Sequence, residues 1–345
     1  SLMQDFGPAL AAFSQEISAQ DLMPLWERQA RLKPGSSCVP ALWQYQRMRP
    51  LLDKAAQLIT KKQAERRVLV LENPSLRGST FIANSLYCGL QIILPGEVAP
   101  SHRHSPNALR FIIEGEGAYT AVAGERTMMS PGDFIVTPNW AWHDHGNLGN
   151  EPVVWMDGLD FAIVALFGAM FREDYPQDRH PLTRQDGDAL ARYGSGLLPV
   201  NTDATPGQGS ATPVLRYPYD RTRQALEQLS QRADADPAQG YKLRYVNPAN
   251  GGHPFPTMAA CMQWLPRGFD GKAMRSSENA VYSVVEGCGS VVIGEQRFDF
   301  RAHDTFVVPS WEPCRFEAPE SCVLFSYSDR AAQQALGLLR EERVA

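Results

Sequence analysis

Cysteine is sparse in this chain and is never paired at close spacing. The six residues Cys38, Cys88, Cys261, Cys288, Cys314 and Cys322 include no CxxC, which speaks against a zinc knuckle or a disulfide framework, so reduced and mostly buried thiols are expected. Positive charge is also short. Lys and Arg number 33 against 38 Asp and Glu, a formal net charge of -5, whereas nucleic-acid binders usually carry a basic stripe. The one basic cluster, Lys61-Lys62 to Arg66-Arg67, is interrupted by Gln63, Ala64 and Glu65 and reads as a solvated helix end. Long apolar runs are missing too. Stretches such as Phe161 to Phe171 fall far below the roughly 20 residues that span a bilayer. With no secretion-signal pattern at the amino end, the expectation is a cytoplasmic protein with neither nucleic acid nor membrane as partner. Hydrophobic residues at 43% and charged residues at 21% are globular values, which excludes disorder and collagen-like structure.

A chain of 345 residues exceeds the roughly 250 to 300 at which single cores stop growing, so two cores are expected. Apolar residues recur at helical spacing from Asp5 to Lys33 (Leu10, Phe13, Ile17, Leu22, Leu25) and from Pro50 to Arg67 (Leu51, Leu52, Ala55, Leu58, Ile59). Short runs rich in Val, Ile, Phe and Tyr then alternate with turn signals to about Val164. Asp186 to Thr212 is rich in Gly, Ser, Pro, Asp and Thr and predicts a long mobile linker. A helix is predicted over Asp220 to Arg232, strands from Leu243 to Tyr327, and a last helix from Asp329 to Arg343. The expected organisation is a helical arm (1–66), a metal-binding β module (67–185), a linker and helix (186–237), a second β module (238–328) and a terminal helix (329–345).

The two β modules resemble each other. Ala108-Leu-Arg-Phe-Ile-Ile-Glu-Gly-Glu-Gly117 lies over Ala280-Val-Tyr-Ser-Val-Val-Glu-Gly-Cys-Gly289, and Asp133-Phe-Ile-Val-Thr-Pro-Asn-Trp140 lies over Asp304-Thr-Phe-Val-Val-Pro-Ser-Trp311, in register within a residue. Such a repeat implies an internal duplication. The predicted fold is all-β with helical additions, built as two jelly-roll β-barrels.

Four of the seven histidines fall in two short motifs, His102-Arg-His104 and His143-Asp-His145. Residues i and i+2 of a strand share a face, so His102 and His104 can project into one barrel and be met by His143 from a neighbouring strand. Three neutral imidazoles suit a divalent transition metal and leave coordination positions open. His145 points the same way as His143 and can donate a hydrogen bond to oxygen, remove a substrate proton, or support the ligands. Arg110 lies six residues beyond His104 on a strand, so parity puts it on the same face, to hold an anionic oxygen or form a structural ion pair. In the second module Met274, Ser276 and Cys314 stand at the corresponding positions, which predicts one metal per chain. His253, His303 and His180, the last in a polar run, are not predicted site residues.

The flanks resemble the two cupin motifs. Gly96, His102-Arg-His104 and Gly115 follow the first, with Ala108 where a metal-binding glutamate usually stands; Gly132, Pro138, His143 and Asn147 follow the second, with Trp140 where glycine is usual. With its helical arm and inactivated second cupin, the chain resembles the gentisate 1,2-dioxygenase family of bicupins, whose relatives cleave salicylate and 1-hydroxy-2-naphthoate. The similarity is most specific in His102 to Phe111, Glu114 to Tyr119, His143 to Gly146 and Val154 to Asp157. It implies one Fe(2+) per chain held by His102, His104 and His143, no other cofactor, a homotetramer, and a small aromatic acid and O2 as reactants. It further implies Asp157 as the acidic partner of His145 or of the distal hydroxyl of gentisate, and Arg66 (or its neighbour Arg67), Tyr87 and Gln91 as residues that bind the substrate carboxylate and orient the ring. A cupin isomerase and a non-catalytic ligand-binding bicupin are the rival readings, and oxygen uptake separates them.

Overall fold

The structure, a computed structural model, describes residues 2–201 and 211–345. It divides into two compact units, residues up to Pro34 and Gly35–Ala345. In the first, the helix Leu2–Ser18 is followed by a single 3-10 turn, Leu25–Glu27. The helix expected to run on to Lys33 stops because Asp21 turns left-handed (φ 58°) and the amides of Asp21 and Leu22 close back onto Ser18 and Ile17, which satisfies the last carbonyls. Phe13 stacks on Trp26 within this unit, with ring centroids 6.4 Å apart.

The second unit opens with the strand Ala41–Trp43 and the helix Tyr45–Leu58, which carries Pro50 inside it rather than at its start. A one-turn helix, Lys61–Ala64, follows behind a capping box in which Thr60 and Gln63 satisfy each other's free amides. Two barrels then follow with the same strand order. In the first, Arg216–Tyr217, Phe134–Thr137, Ala108–Glu114, Val153–Leu159, Tyr87–Ile93 and Arg67–Val70 form one sheet in that order. It is faced by Arg172–Asp174, Val98–His104, His143–Asn147, Ala118–Val122 and Glu125–Met128. The second barrel repeats the series as Ala41–Trp43, Thr305–Val308, the first half of Ala280–Ile293, Cys322–Ser328, Ala259–Leu265 and Tyr241–Arg244. Its facing layer is Glu341–Arg343, Met274–Ser276, Cys314–Ala318, the second half of Ala280–Ile293 and Gln296–Arg301. The duplication extends to side chains. The carboxylate of Asp160 accepts from the backbone and side-chain amides of Asn107, as that of Asp329 does from Asn279.

Both long sheets are largely buried on two faces, which explains runs such as Leu109 to Ile113. Leu109, Phe111 and Ile113 point out of the first barrel into a shared core with Val281, Val323 and Phe325 of the second, where Phe111 stacks on Phe325 at 4.1 Å. The intervening Arg110 and Ile112 point inward. The barrels are thus joined by a continuous hydrophobic core, and the first interior is left free to hold polar groups.

Three further expectations change. The segment predicted as a mobile linker, Asp186 to Thr212, carries the helix Asp188–Tyr193, whose Ala189 and Tyr193 bury with Val122, Ala141, Val214 and Leu215; its residues 202–210 lie outside the described residues. The last helix is only Arg330–Ala335. Gly337 (φ 71°) ends it, with the amide of Leu338 returning to the Gln333 carbonyl, and the chain then adds the strand Glu341–Arg343 to the second barrel. The predicted helical arm, in turn, supplies an edge strand of that barrel through Ala41–Trp43. Among the described residues no helix is long and apolar enough to cross a membrane.

Candidate active site

His102 and His143 face each other across the antiparallel pair Val98–His104 and His143–Asn147, beside a register shift between Ala99 and His102. The ring centroids of His102, His104 and His143 are 4.6 to 5.2 Å apart, and one ligand atom from each lies within 4.8 Å of the other two. Nδ1 of His104 is 2.9 Å from the Pro106 carbonyl and Nδ1 of His143 is 2.9 Å from the Ala141 carbonyl. A carbonyl only accepts, so both rings donate from Nδ1 and leave the Nε2 lone pair free. That of His143 is buried without any partner. Burial, then the neighbouring histidines and arginines, push the His102 and His143 imidazoles down, and burial pushes His104 down to about 4. All three are therefore neutral at physiological pH, the ligating form. This is a three-histidine metal-binding site, and its donors fit a divalent transition ion.

The turn before His143 is held from outside the barrel. The Arg103 guanidinium lies 4.5 Å from the Trp140 ring and 4.4 Å from that of Trp142. Trp140 adopts φ 59°, the left-handed conformation that explains why glycine is usual there.

A polar cluster shares the interior. Arg110 and Asp157 are direct cross-strand partners, with Nε 3.2 Å from Oδ1 and both side chains buried. Arg110 also donates to the Thr137 hydroxyl at 2.6 Å, and Asp157 accepts from Trp155 Nε1 at 3.0 Å. Asp157 makes no hydrogen bond to His145, whose Nδ1 is 2.9 Å from the Thr120 hydroxyl and whose Nε2 is buried and unpartnered. The His145 ring packs 5.2 Å from Trp155 and 5.9 Å from His143, so the inward orientation expected of it is what the structure has. Tyr87 and Gln91 lie on one face of the strand Tyr87–Ile93. A Cβ at Gly89 would sit 2.9 Å from the Tyr87 hydroxyl and 2.5 Å from Val68, which places the phenol over Gly89, the cross-strand partner of Asp157.

The two neighbouring arginines separate cleanly. Arg67 is spent on structure: it donates to both oxygens of Glu97 and to the Ile59 carbonyl. Arg66 donates to the Pro100 carbonyl, but its Nε is buried without a partner. Burial and then the Arg110 charge lower its pKa to about 10, with Asp157 opposing. Arg66 is thus the arginine close to the polar cluster.

One residue set aside from the sequence belongs behind the metal site. His180 is buried, not surface-exposed. Its Nε2 accepts from the Gly124 amide at 3.0 Å, so Nδ1 carries the proton and donates to Asp144 Oδ2 at 2.7 Å, while the Ser101 hydroxyl lies 3.3 Å away. Asp144 sits between His143 and His145 and Ser101 precedes His102, so one imidazole ties together the backs of both ligand strands. The only sequence signal is Asp144 itself, a carboxylate on an alternating strand whose neighbours point inward; its partner lies 36 residues away. His180→Ala should weaken metal binding roughly 10- to 100-fold, as loss of a group that orients ligands typically does. A competitive chelator titration checks this, and wild-type affinity in the variant would contradict it.

Against this geometry, the cupin domain family matches residues 89–159. Gentisate 1,2-dioxygenase 1 of Aquipseudomonas alcaligenes is 50% identical over 96% of this chain and 95% of its own length. This chain belongs to the gentisate 1,2-dioxygenase family. The gentisate 1,2-dioxygenase of a Ralstonia species is 38% identical over 87% of this chain and 84% of its own. The salicylate 1,2-dioxygenase from Pseudoaminobacter salicylatoxidans, solved as adducts with gentisate, superposes with a TM-score of 0.90 at 32% identity, covering 97% of this chain and 94% of that one. Among the described residues of this bicupin, only the first barrel carries a histidine triad.

Proposed function

We propose that this chain is an Fe(II)-dependent dioxygenase that opens gentisate (2,5-dihydroxybenzoate) between the carboxyl-bearing carbon and the adjacent hydroxyl-bearing carbon, consuming one O2 to give maleylpyruvate. The observation that carries the reading is the sharing of one barrel interior by the histidine triad, the Arg110–Asp157 pair and the free Nε2 of His145. Bound Fe(II) would supply coordination positions for the substrate carboxylate, its adjacent hydroxyl and O2, and a route for electrons from ring to oxygen. His102, His104 and His143 would hold it.

The remaining side chains divide the rest of the task. Arg66 and Arg110 place two guanidinium groups where a carboxylate or a developing oxyanion is held, in a buried setting that strengthens the attraction. Because Arg110 is already fixed by Asp157 and Thr137, little of its freedom is lost on binding. His145 Nε2 is the proton donor or acceptor toward oxygen, with its ring held by Thr120 and Trp155. Tyr87 and Gln91 line the strand face along which the ring is oriented. Asp157 faces a distal hydroxyl, the group gentisate has and salicylate lacks, and a site built around such a hydrogen bond rejects the analogue without it.

Salicylate or 1-hydroxy-2-naphthoate is the second reading, favoured by the close superposition on a salicylate dioxygenase and by the relative named 1-hydroxy-2-naphthoate 1,2-dioxygenase in Nocardioides, 34% identical over 96% of this chain. Oxygen uptake by protein loaded with Fe(II) under anaerobic conditions, with the three acids in parallel, discriminates the two. The expected result is uptake with gentisate at least about tenfold faster than with the others; comparable rates on all three would move the assignment to the second reading. A homotetramer belongs to the same proposal, and light-scattering mass tests it.

A further inference from the structure

The second barrel repeats the first register for register, which identifies what has become of each site position. Met274 pairs with Cys314 as His102 pairs with His143. Tyr282 pairs with Ser326 as Arg110 pairs with Asp157. Lys242 pairs with Gln263 as Val68 pairs with Gln91. The metal ligands are gone, but the opposite wall has kept polar groups and gained a cation.

That wall borders a cavity of about 640 Å³ lined by Lys242, Tyr282, Met274, Ser326 and Glu278 among others, within the roughly 300 to 1,000 Å³ typical of small-molecule sites. A smaller extension of about 50 Å³ shares Lys242, Tyr282 and Met274 and reaches Gln263. One acceptor there is left unsatisfied, and one cation, 5.6 Å from the centre of the Tyr282 ring, has no carboxylate partner among the described residues. Glu278 and Glu341 are both held by Arg330, and Asp236 by Arg343, so among the described residues no carboxylate lies within 4.0 Å of the Lys242 ammonium. Burial acts to lower its pKa, while Tyr282, Cys261 and Glu278 act against that and the net direction is upward. Gln263 is 1% exposed; its Nε2 donates to the Gln239 carbonyl at 2.7 Å, which fixes the amide and leaves Oε1 buried with no donor. A buried acceptor without a partner is costly.

We propose that the C-terminal barrel is a second, metal-independent binding site for a small hydroxy-carboxylic acid, its carboxylate on Lys242 and its hydroxyl donating to Gln263 Oε1. Cross-strand partners on one face stand about 5 Å apart at Cβ, a span that a 2- or 3-hydroxy acid bridges. Tyr282 and Met274 offer its carbon skeleton an apolar wall. This site makes no use of the metal centre, so it stands or falls separately from the dioxygenase reading.

The test is calorimetric titration of the full-length, metal-depleted protein with salicylate and, separately, with lactate, which distinguishes an aromatic from an aliphatic source of the same chemistry. Lys242→Met should weaken a binding component present in the parent protein roughly 10- to 100-fold, while the iron-loaded variant keeps parental turnover. Gln263→Glu, which gives Lys242 its own carboxylate at nearly constant volume, should produce the same loss and guards against a folding defect in the first variant. Loss of the component for either acid supports the site. No binding of either acid, or isotherms unchanged in both variants, would overturn it.

Discussion

His143→Ala will leave the protein folded but without metal, and ring-opening activity will fall by at least about a thousandfold, the scale set by several kcal/mol of lost charge stabilisation. His143 offers the buried, unpartnered Nε2 of the triad and is the cross-strand partner of His102, so its removal takes away a donor that no neighbour can replace. The fold does not depend on it. The barrel is held by the core around Leu90, Leu109, Phe111 and Phe325, to which the imidazole does not belong. Iron content by elemental analysis, set beside the thermal midpoint, checks both halves. A variant that retains full iron and full turnover would mean that the ligand set is wrong.

Asp157→Ala will cost both stability and rate. It strands the Arg110 guanidinium in the barrel interior with Arg66 nearby, and breaking a buried ion pair from one side typically costs about 3–5 kcal/mol, because the remaining charge keeps its desolvation penalty. Burial acts to raise the Asp157 pKa and to lower that of Arg110, and in each case the partner's charge is the first cause that opposes it. The expected result is a lower midpoint in denaturant unfolding together with loss of gentisate turnover. The double variant Asp157→Ala, Arg110→Met should recover part of the stability and none of the activity, the signature of coupling between the two sites. Unchanged stability in Asp157→Ala would contradict the pairing.

The sequence carried the barrel repeat because two jelly rolls descended from one ancestor still share residues at the positions their sheets constrain, Asp133 and Asp304 among them. It carried the triad because metal ligation on a strand demands the i, i+2 spacing that His102 and His104 display. It did not carry contacts closed by long loops. The pairing of His180 with Asp144, the edge strand that Ala41–Trp43 adds to Thr305–Val308, and the return of Glu341–Arg343 onto Met274–Ser276 all depend on chain folding back over dozens or hundreds of residues, which leaves no local period to read. The difference in setting between Arg66 and Arg67 was equally invisible. It turns on Glu97, a residue about thirty positions away that captures Arg67 bidentately. The overlong helices failed for a local reason, since left-handed stops at Asp21 and Gly337 outweigh apolar spacing that continues beyond them.

The carboxylate of Asp157 and the imidazole of His145 were expected to be possible partners, and the structure gives them separate ones: Asp157 is held by Arg110 and Trp155, His145 by Thr120. Two polar devices therefore flank the triad in place of one relay. Each can be altered without directly removing a hydrogen bond from the other, so His145→Ala should retain iron and lose rate, while Asp157 variants also lose stability.

The most direct test of the central claim is turnover of gentisate by the Fe(II)-loaded protein under isotopically labelled O2, with mass analysis of the ring-opened product. A dioxygenase that opens the ring at the carboxyl-bearing carbon predicts one O2 consumed per gentisate and label in the product from both of its atoms, apart from any exchange of the new carbonyl with water. Product formed without label, or no consumption of O2 by protein shown to hold iron, would contradict it.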